Sequence, residues 1–451
     1  MLRKSKTKVN LFTQITTVYI YLMLTVFLFF CGNRGYQGIM AAKFSVFCIL
    51  CGGYIAVMAL AALESLIVGA VKFRSPLTVL KTCGWTRRLV ILYLLLTWIS
   101  ALLSRYFPET VLGISRMEGA LTITVYGVCF LLVSVYGKVS EGMLWVLGIA
   151  ALVFSAVCLL QIAGFNPLSL FPEGVGYADR YIAYSGEYLG TTGNADLTAA
   201  FFCLVIPIMW VLLVRLREKR RFFLLIPLAA SLATVLCMDV MAGLMGVFAG
   251  GLLTVPVVAP ISKRKKKILW CAIIAAGILA AAAVFFVDFG SGFLHQLHEL
   301  LHGRADRSFG SGRIQIWSEV IQRIPEQILF GSGPDTMIRA GLQGFSKVKE
   351  DLGTVVVAKI DAAHSEYLNI LFHQGILALA AYLGVLISLA HKWIRNSGAD
   401  AVTAALGAAA CAYCIQALSS ISMFIVAPLF WLILGLLERR SSVKFVGGHK
   451  K

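Results

Sequence analysis

The 451-residue chain carries 40 Lys and Arg against 22 Asp and Glu, a net charge of +18, yet only 14% of its residues are charged and 59% are hydrophobic. With a mean hydropathy of +0.84 and a charged fraction far below the roughly 25% of soluble domains, a soluble globular protein is excluded and an integral membrane protein remains. A nucleic-acid partner, which a pI near 9.5 would otherwise invite, has no basic soluble domain to carry it.

A helix crossing the hydrocarbon needs about 17–25 apolar residues, and the chain supplies about twelve such runs. They lie near 11–31, 44–71, 89–104, 120–137, 142–164, 197–214, 222–238, 240–261, 268–288, 364–390, 401–420 and 422–437. The expected fold is therefore an all-α polytopic membrane protein, one domain over residues 1–451. The first run is long and carries the basic flank Met1–Lys8, which suits an uncleaved start helix. Residues 222–261 make twice one span, split around Met238 and Asp239, and read as a helical hairpin. Basic residues gather in alternate loops, at Arg3 to Lys8, Lys72 to Arg88, Arg215 to Arg221, Lys263 to Lys267, Lys392 with Arg395, and Arg439 to Lys451. Basic loops stay cytoplasmic, so both ends are expected inside and the net charge is a topology signal. Glu64, a lone carboxylate inside a span, reads as a structural hydrogen bond or a cavity lining. Ten of the 11 cysteines lie in or at the ends of spans and Cys83 in a cytoplasmic loop, so the outer loops hold no disulfide pair.

By that topology the long loops are all outside: 104–120, 164–196 and 289–363, the last about 75 residues. Loops of such length in a compact protein are usually functional. The longest one begins with His298-Glu299-Leu-Leu-His302, the H-E-x-x-H spacing in which two histidines one turn apart bind zinc and the glutamate activates water. A third ligand is not evident, and an interfacial amphipathic helix is the plainer reading.

Gly312-Arg313 then opens a helix whose apolar residues 317, 320, 321 and 324 share a face and which Pro325 ends. Arg313 at its start is a cation at the positive end of a helix dipole, an arrangement that suits a bound phosphate. The turn at Gly331-Ser-Gly333 lacks the lysine and hydroxyl of a nucleotide-binding loop. His364, Tyr367, Leu368 and Leu371 follow on one expected helical face, with His364 a candidate base or orienting donor.

Taken in order, Gly312-Arg313-x-x-x-Trp317, Gly331-x-Gly333 with a proline at 325, and His364-Ser365-x-Tyr367-Leu368 with Gly375 after it resemble the O-antigen ligase and polymerase family of bacterial membrane glycosyltransferases. Gly113-Ile-Ser-Arg116-Met-Glu118-Gly119 is similar to that family's first outer-loop R-x-E-G, and Thr192-Gly193-Asn194-Ala-Asp196 to its entry into the sixth span. The ligase-like region runs over about 197–390.

The resemblance implies transfer of a glycan from a polyprenyl-pyrophosphate-linked oligosaccharide donor to a glycan or lipid-glycan acceptor, in a multi-pass protein of the bacterial cytoplasmic membrane. Membrane lipid, a chain-length regulator and a flippase are the further partners it implies; no cofactor or metal is required. His364, Arg313 and Glu366 would be catalytic, and Arg116, Glu118, Arg180, Arg304, Arg307 and Tyr367 would bind substrate. The family's Ser-Arg-Gly between the seventh and eighth spans, held to bind pyrophosphate, is replaced here by Met238-Asp239-Val240-Met241-Ala242-Gly243, so another cation or another donor is expected. Two other functions compete: a transporter or lipid-linked glycan flippase, and a zinc metallopeptidase built on His298, Glu299 and His302.

Overall fold

The computed structural model describes residues 11–69, 78, 83–178, 188–307, 309–349, 354–398 and 400–442. Eight helices among them are long and apolar enough to cross a membrane: α2 (Gly35–Ile67), α3 (Trp85–Leu103), α6 (Glu141–Ile162), α7 (Ala195–Arg215), α8 (Lys219–Met238), α9 (Met241–Val258), α10 (Lys263–Phe286) and α13 (Glu366–Asn396). Three shorter apolar helices, α1 (Leu11–Phe27), α5 (Ala120–Tyr136) and α14 (Ala401–Gln416), and the last helix α15 (Ala427–Ser442) fall on the remaining expected runs. Short helices α4 (Glu109–Leu112), α11 (Gly292–Leu301) and α12 (Arg313–Arg323) sit in the connections. One two-stranded antiparallel hairpin joins them, β1 (Phe345–Lys349) with β2 (Thr354–Ala358), Phe345 lying opposite Ala358. Its Thr-Val-Val-Val run is β-branched and favours a strand over a helix.

Local chemistry fixes the helix starts. Asn194 caps α7 by accepting the Leu197 N–H at 3.2 Å, and Asp400 caps α14 through Thr403 at 2.8 Å. The expected hairpin is present: Asp239, in a left-handed conformation, follows α8, and α9 starts two residues later at Met241. The core gathers around α7, whose apolar window is 83% buried, whereas that of α10 is 6% buried and faces outward. A belt of exposed apolar side chains, Ile274, Ile278 and Leu279 on α10 among them, makes lipid the solvent for this bundle.

Three local expectations are corrected. Lys43, one residue before the expected start of its span at 44, is buried inside α2, where its side-chain nitrogen donates to the Phe27 and Leu28 carbonyls at 2.7 and 2.8 Å. Those carbonyls are at the end of α1, the negative pole of a helix, which satisfies the donor without a carboxylate. Glu64 is exposed near the end of α2 rather than enclosed in the bundle. The last two helices are not separated at residue 421: α14 stops at Gln416 and α15 starts at Ala427, leaving ten largely buried residues without helix.

α13 is broken as well. Gly375 takes φ 79°, ψ 177° in its middle. The gap is filled by the Gly331-Ser-Gly333 turn, whose Ser332 and Gly333 N–H groups donate to the Phe372 and His373 carbonyls at 2.9 and 2.8 Å, while Ile376 donates to Ile328 O at 2.8 Å. A Cβ on Gly375 would lie 2.3 Å from Leu329 O, and one on Gly331 would lie 2.4 Å from His373 C, so the two backbones meet only as glycines. The G-x-G of the sequence is thus a docking turn.

Candidate functional site

The ten-residue segment Ala417–Val426 is where several connecting loops converge. Irregular backbone at such depth requires partners from the protein, and three candidate residues supply them. Ala417 O accepts the Glu366 N–H at 2.9 Å, Ser419 O accepts Arg313 Nε at 3.0 Å, and the Phe424 N–H donates to Glu118 Oε1 at 2.6 Å.

On one side of the segment lies a polar cavity. Arg116 donates to Asp361 through Nε and Nη2, both at 2.9 Å, and its Nη1 rests on Met423 Sδ at 3.4 Å. Asp335 fixes the loop that carries Arg116, accepting the Ser115 and Arg116 N–H groups at 2.9 and 2.8 Å and the Ser115 hydroxyl at 2.9 Å. Glu118 also accepts the Tyr126 hydroxyl at 2.8 Å. Burial pushes its carboxyl up to about 8, against the downward pull of its bonds from Tyr126 and Phe424. Glu366 stands deeper, its Oε1 taking the Tyr382 hydroxyl. Tyr93, Tyr382 and Trp431 line the same cavity, their ring centroids 5.6–6.2 Å apart.

On the other side stands Arg313. Besides Ser419 it donates from Nη1 to Gly310 O at 2.9 Å, and its Nη2 faces Asp196 at 3.8 Å. Its helix α12 buries Ile316 and Val320 and packs Trp317 and Ile324 beside them. The expected face was one position off, since Ile321 is 55% exposed and Ile316 takes its place. Trp317 Nε1 donates to Ala363 O at 2.8 Å, and Asn369 Oδ1 accepts the Ala363 N–H at 2.7 Å. These bonds hold the turn in which His364 adopts a left-handed backbone, φ 47°. His364 is therefore not on the helical face of Tyr367 and Leu368; α13 begins at Glu366 with Ser365 as its cap. A side chain held in that sparsely populated conformation marks a position that its surroundings over-determine.

Arg116, Glu118, Glu366, Arg313 and His364 are thus assembled around residues 361–366 and 417–426. Tyr367 is not part of the cavity: its hydroxyl donates to Cys414 O at 2.8 Å and its ring packs in the bundle. Arg304 pairs with Glu299 at 3.0 Å on an exposed turn, and Arg307 is exposed beside it. Both stand on the outer rim. Arg180 lies outside the described residues. The H-E-x-x-H residues are engaged in packing: His298 is buried with Nδ1 2.8 Å from Val284 O, His302 Nδ1 lies 2.9 Å from His298 O, and Glu299 holds Arg304. Among the described residues no three His, Cys, Asp or Glu side chains come together as a metal cluster.

The α12 arginine, the glycine turn and the His364 turn come from one stretch, and that stretch carries a family likeness. Residues 230–383 match the O-antigen ligase family. Over those residues the chain is similar to O-antigen ligases. No curated protein matches the chain. Together with the apolar helices, the match supports a membrane protein of glycan transfer in polysaccharide biosynthesis, a glycosyltransferase type of enzyme. The matched stretch supplies Arg313, Asp335, Asp361, His364 and Glu366, while Arg116, Glu118 and Ala417–Val426 reach it from outside the matched residues. Sequence reasoning missed Asp335 and Asp361. Each had a signal: Asp335 follows the Gly333-Pro334 turn, and Asp361 stands three residues before His364.

Proposed function

We propose that the protein transfers or polymerises glycan from a polyprenyl-pyrophosphate donor onto an acceptor hydroxyl at the outer face of the bacterial cytoplasmic membrane, without a metal. The observation that carries this reading is the O-antigen ligase match over the stretch that brings Arg313 and the His364 turn against one buried segment. In this proposal the twelve helices all cross, with both ends cytoplasmic, as the alternation of basic loops requires.

The acceptor oxygen attacks the anomeric carbon of the donor and forms the new glycosidic bond. The bond from that carbon to the pyrophosphate oxygen breaks, and its electron pair leaves with polyprenyl pyrophosphate. His364 takes the hydroxyl proton, and Arg313 meets the charge that develops on the leaving phosphate. Arg313 is suited to this because two backbone carbonyls aim its guanidinium, while its carboxylate neighbour, Asp196, stays back at 3.8 Å. It would then serve in place of the arginine missing beside Met241.

The test is transfer of lipid-linked glycan by membranes holding Arg313→Ala or His364→Ala at wild-type abundance. Each variant should lose transfer about 100-fold or more, the scale of removing one charge-stabilising donor or one general base. Unchanged transfer in both would sink the assignment. Movement of lipid-linked glycan with no new glycosidic bond would instead support the flippase reading.

A further inference from the structure

We infer that the cavity beneath the Arg116–Asp361 pair is a saccharide subsite that takes one uncharged pyranose ring of the acceptor glycan. The inference rests on the glycan-transfer reading and adds to it the class of sugar.

The first observation is an unmet hydrogen bond. Glu366 is 6% exposed and lines the cavity; its Oε1 takes the Tyr382 hydroxyl, while its Oε2 makes no hydrogen bond, the nearby Ser422 hydroxyl being engaged with Tyr413 at 3.0 Å. A buried acceptor left without a donor is costly and calls for one from a ligand. A sugar hydroxyl supplies such a donor.

The second observation is the commitment of the charges around it. Arg116 is already matched by the bidentate Asp361, and Asp335 is filled by three donors from Ser115 and Arg116. Glu118 holds the Tyr126 hydroxyl and the Phe424 N–H. Among the described residues no uncommitted cation lines the cavity, whereas four carboxyl groups do. A uronate, phosphate or sulfate group entering it would meet the Asp335 carboxylate without a free cation to offset it. Neutral hydroxyls meet acceptors.

The third is the aromatic lining. Tyr93, Tyr382 and Trp431 line the cavity together with these polar groups. Pyranoses present an apolar C–H face and a polar rim, and rings with one polar tip suit that combination. A largely apolar wall with a few placed polar groups is the usual make-up of a small-molecule site.

The experiment uses the full chain in lipid nanodiscs and saturation-transfer NMR with methyl glucopyranoside, methyl galactopyranoside and methyl glucuronide as probes. At least one neutral glycoside should receive saturation, with a dissociation constant at least tenfold lower than that of the glucuronide. Glu366→Leu should abolish the signal, and Glu366→Gln, which keeps an acceptor oxygen, should restore part of it. Equal or tighter binding of the glucuronide by the unaltered protein, or no saturation of either neutral glycoside, would overturn the subsite whether or not the variants fold. A transfer assay on the same nanodiscs separates the two readings. Transfer without neutral-sugar binding defeats the subsite alone; sugar binding without transfer defeats the enzyme and leaves the subsite standing.

Discussion

Arg313 and Arg116 touch the buried segment 417–426 at different points, Ser419 and Met423, and they are held by opposite chemistry. Arg313 is fixed by the Ser419 and Gly310 carbonyls, with the Asp196 carboxylate back at 3.8 Å. Arg116 is gripped by both oxygens of Asp361 at 2.9 Å. Carbonyl dipoles orient a guanidinium and leave most of its charge to act on a ligand; a bidentate carboxylate consumes the charge and the donors together. Position near a site therefore does not make two arginines equivalent. Arg313 is the one available to a phosphate, and Arg116 is a strut that joins the 113–119 loop to the turn before His364.

The sharpest way to break that contrast is to keep both charges and change both shapes. Arg313→Lys cannot reproduce the fork that reaches Ser419 and Gly310 at once, and transfer should fall about 100-fold. Arg116→Lys retains a charge opposite Asp361 at a partly exposed site, where an ion pair is worth about 1 kcal/mol or less, so transfer should fall by less than about tenfold. Kinetics on matched membranes decide it, and a reversed order of losses would invert the roles. A smaller effect is expected at the joint between the two sides. Trp317→Phe removes one hydrogen bond to Ala363 O, a change of about 1 kcal/mol or roughly fivefold in transfer; no change at all would mean that the His364 turn is held without it.

The mildest test concerns Glu118, whose carboxyl burial raises from 4.5 to about 8. Between those values the folded protein keeps a proton that the unfolded chain has lost. Its contribution to stability is therefore fully present below about 4.5 and is lost as pH rises to about 8. Thermal unfolding in nanodiscs should show stability declining from pH 5 to pH 8 more steeply in the unaltered protein than in Glu118→Gln. Parallel slopes would count against a buried, protonated Glu118.

The order of spans, the hairpin at Asp239, the helix begun by Arg313 and most residues of the candidate site were legible in the sequence, because each rests on local pattern or short-range turn chemistry. What was not legible depends on distant partners. α7 and α10 have the same mean hydropathy, 2.6, yet one is 83% and the other 6% buried. Hydropathy reports whether a helix tolerates lipid and carries no information on which neighbours displace it. Lys43 reads as a loop charge until the end of α1 supplies carbonyls for it. Residues 417–426 are apolar enough to pass for helix, and the groups that satisfy their backbone, Glu118 and Arg313, lie about 300 and 100 positions away. The Arg116–Asp361 and Asp335–Ser115 pairs join segments more than 200 residues apart for the same reason.

The break at Gly375 also decouples the site from the bilayer. An unbroken rod of 31 residues would be about 46 Å long, well beyond a hydrocarbon core of roughly 30 Å. Below Gly375 the helix runs from Ile376 to Asn396, about 32 Å, close to that thickness. Above it, residues 366–374 are registered by hydrogen bonds to the turn at 328–333. Hydrophobic mismatch with thinner or thicker membranes is thus taken up by the tilt of the lower rod, while the height of Glu366 and His364 is set by protein against protein.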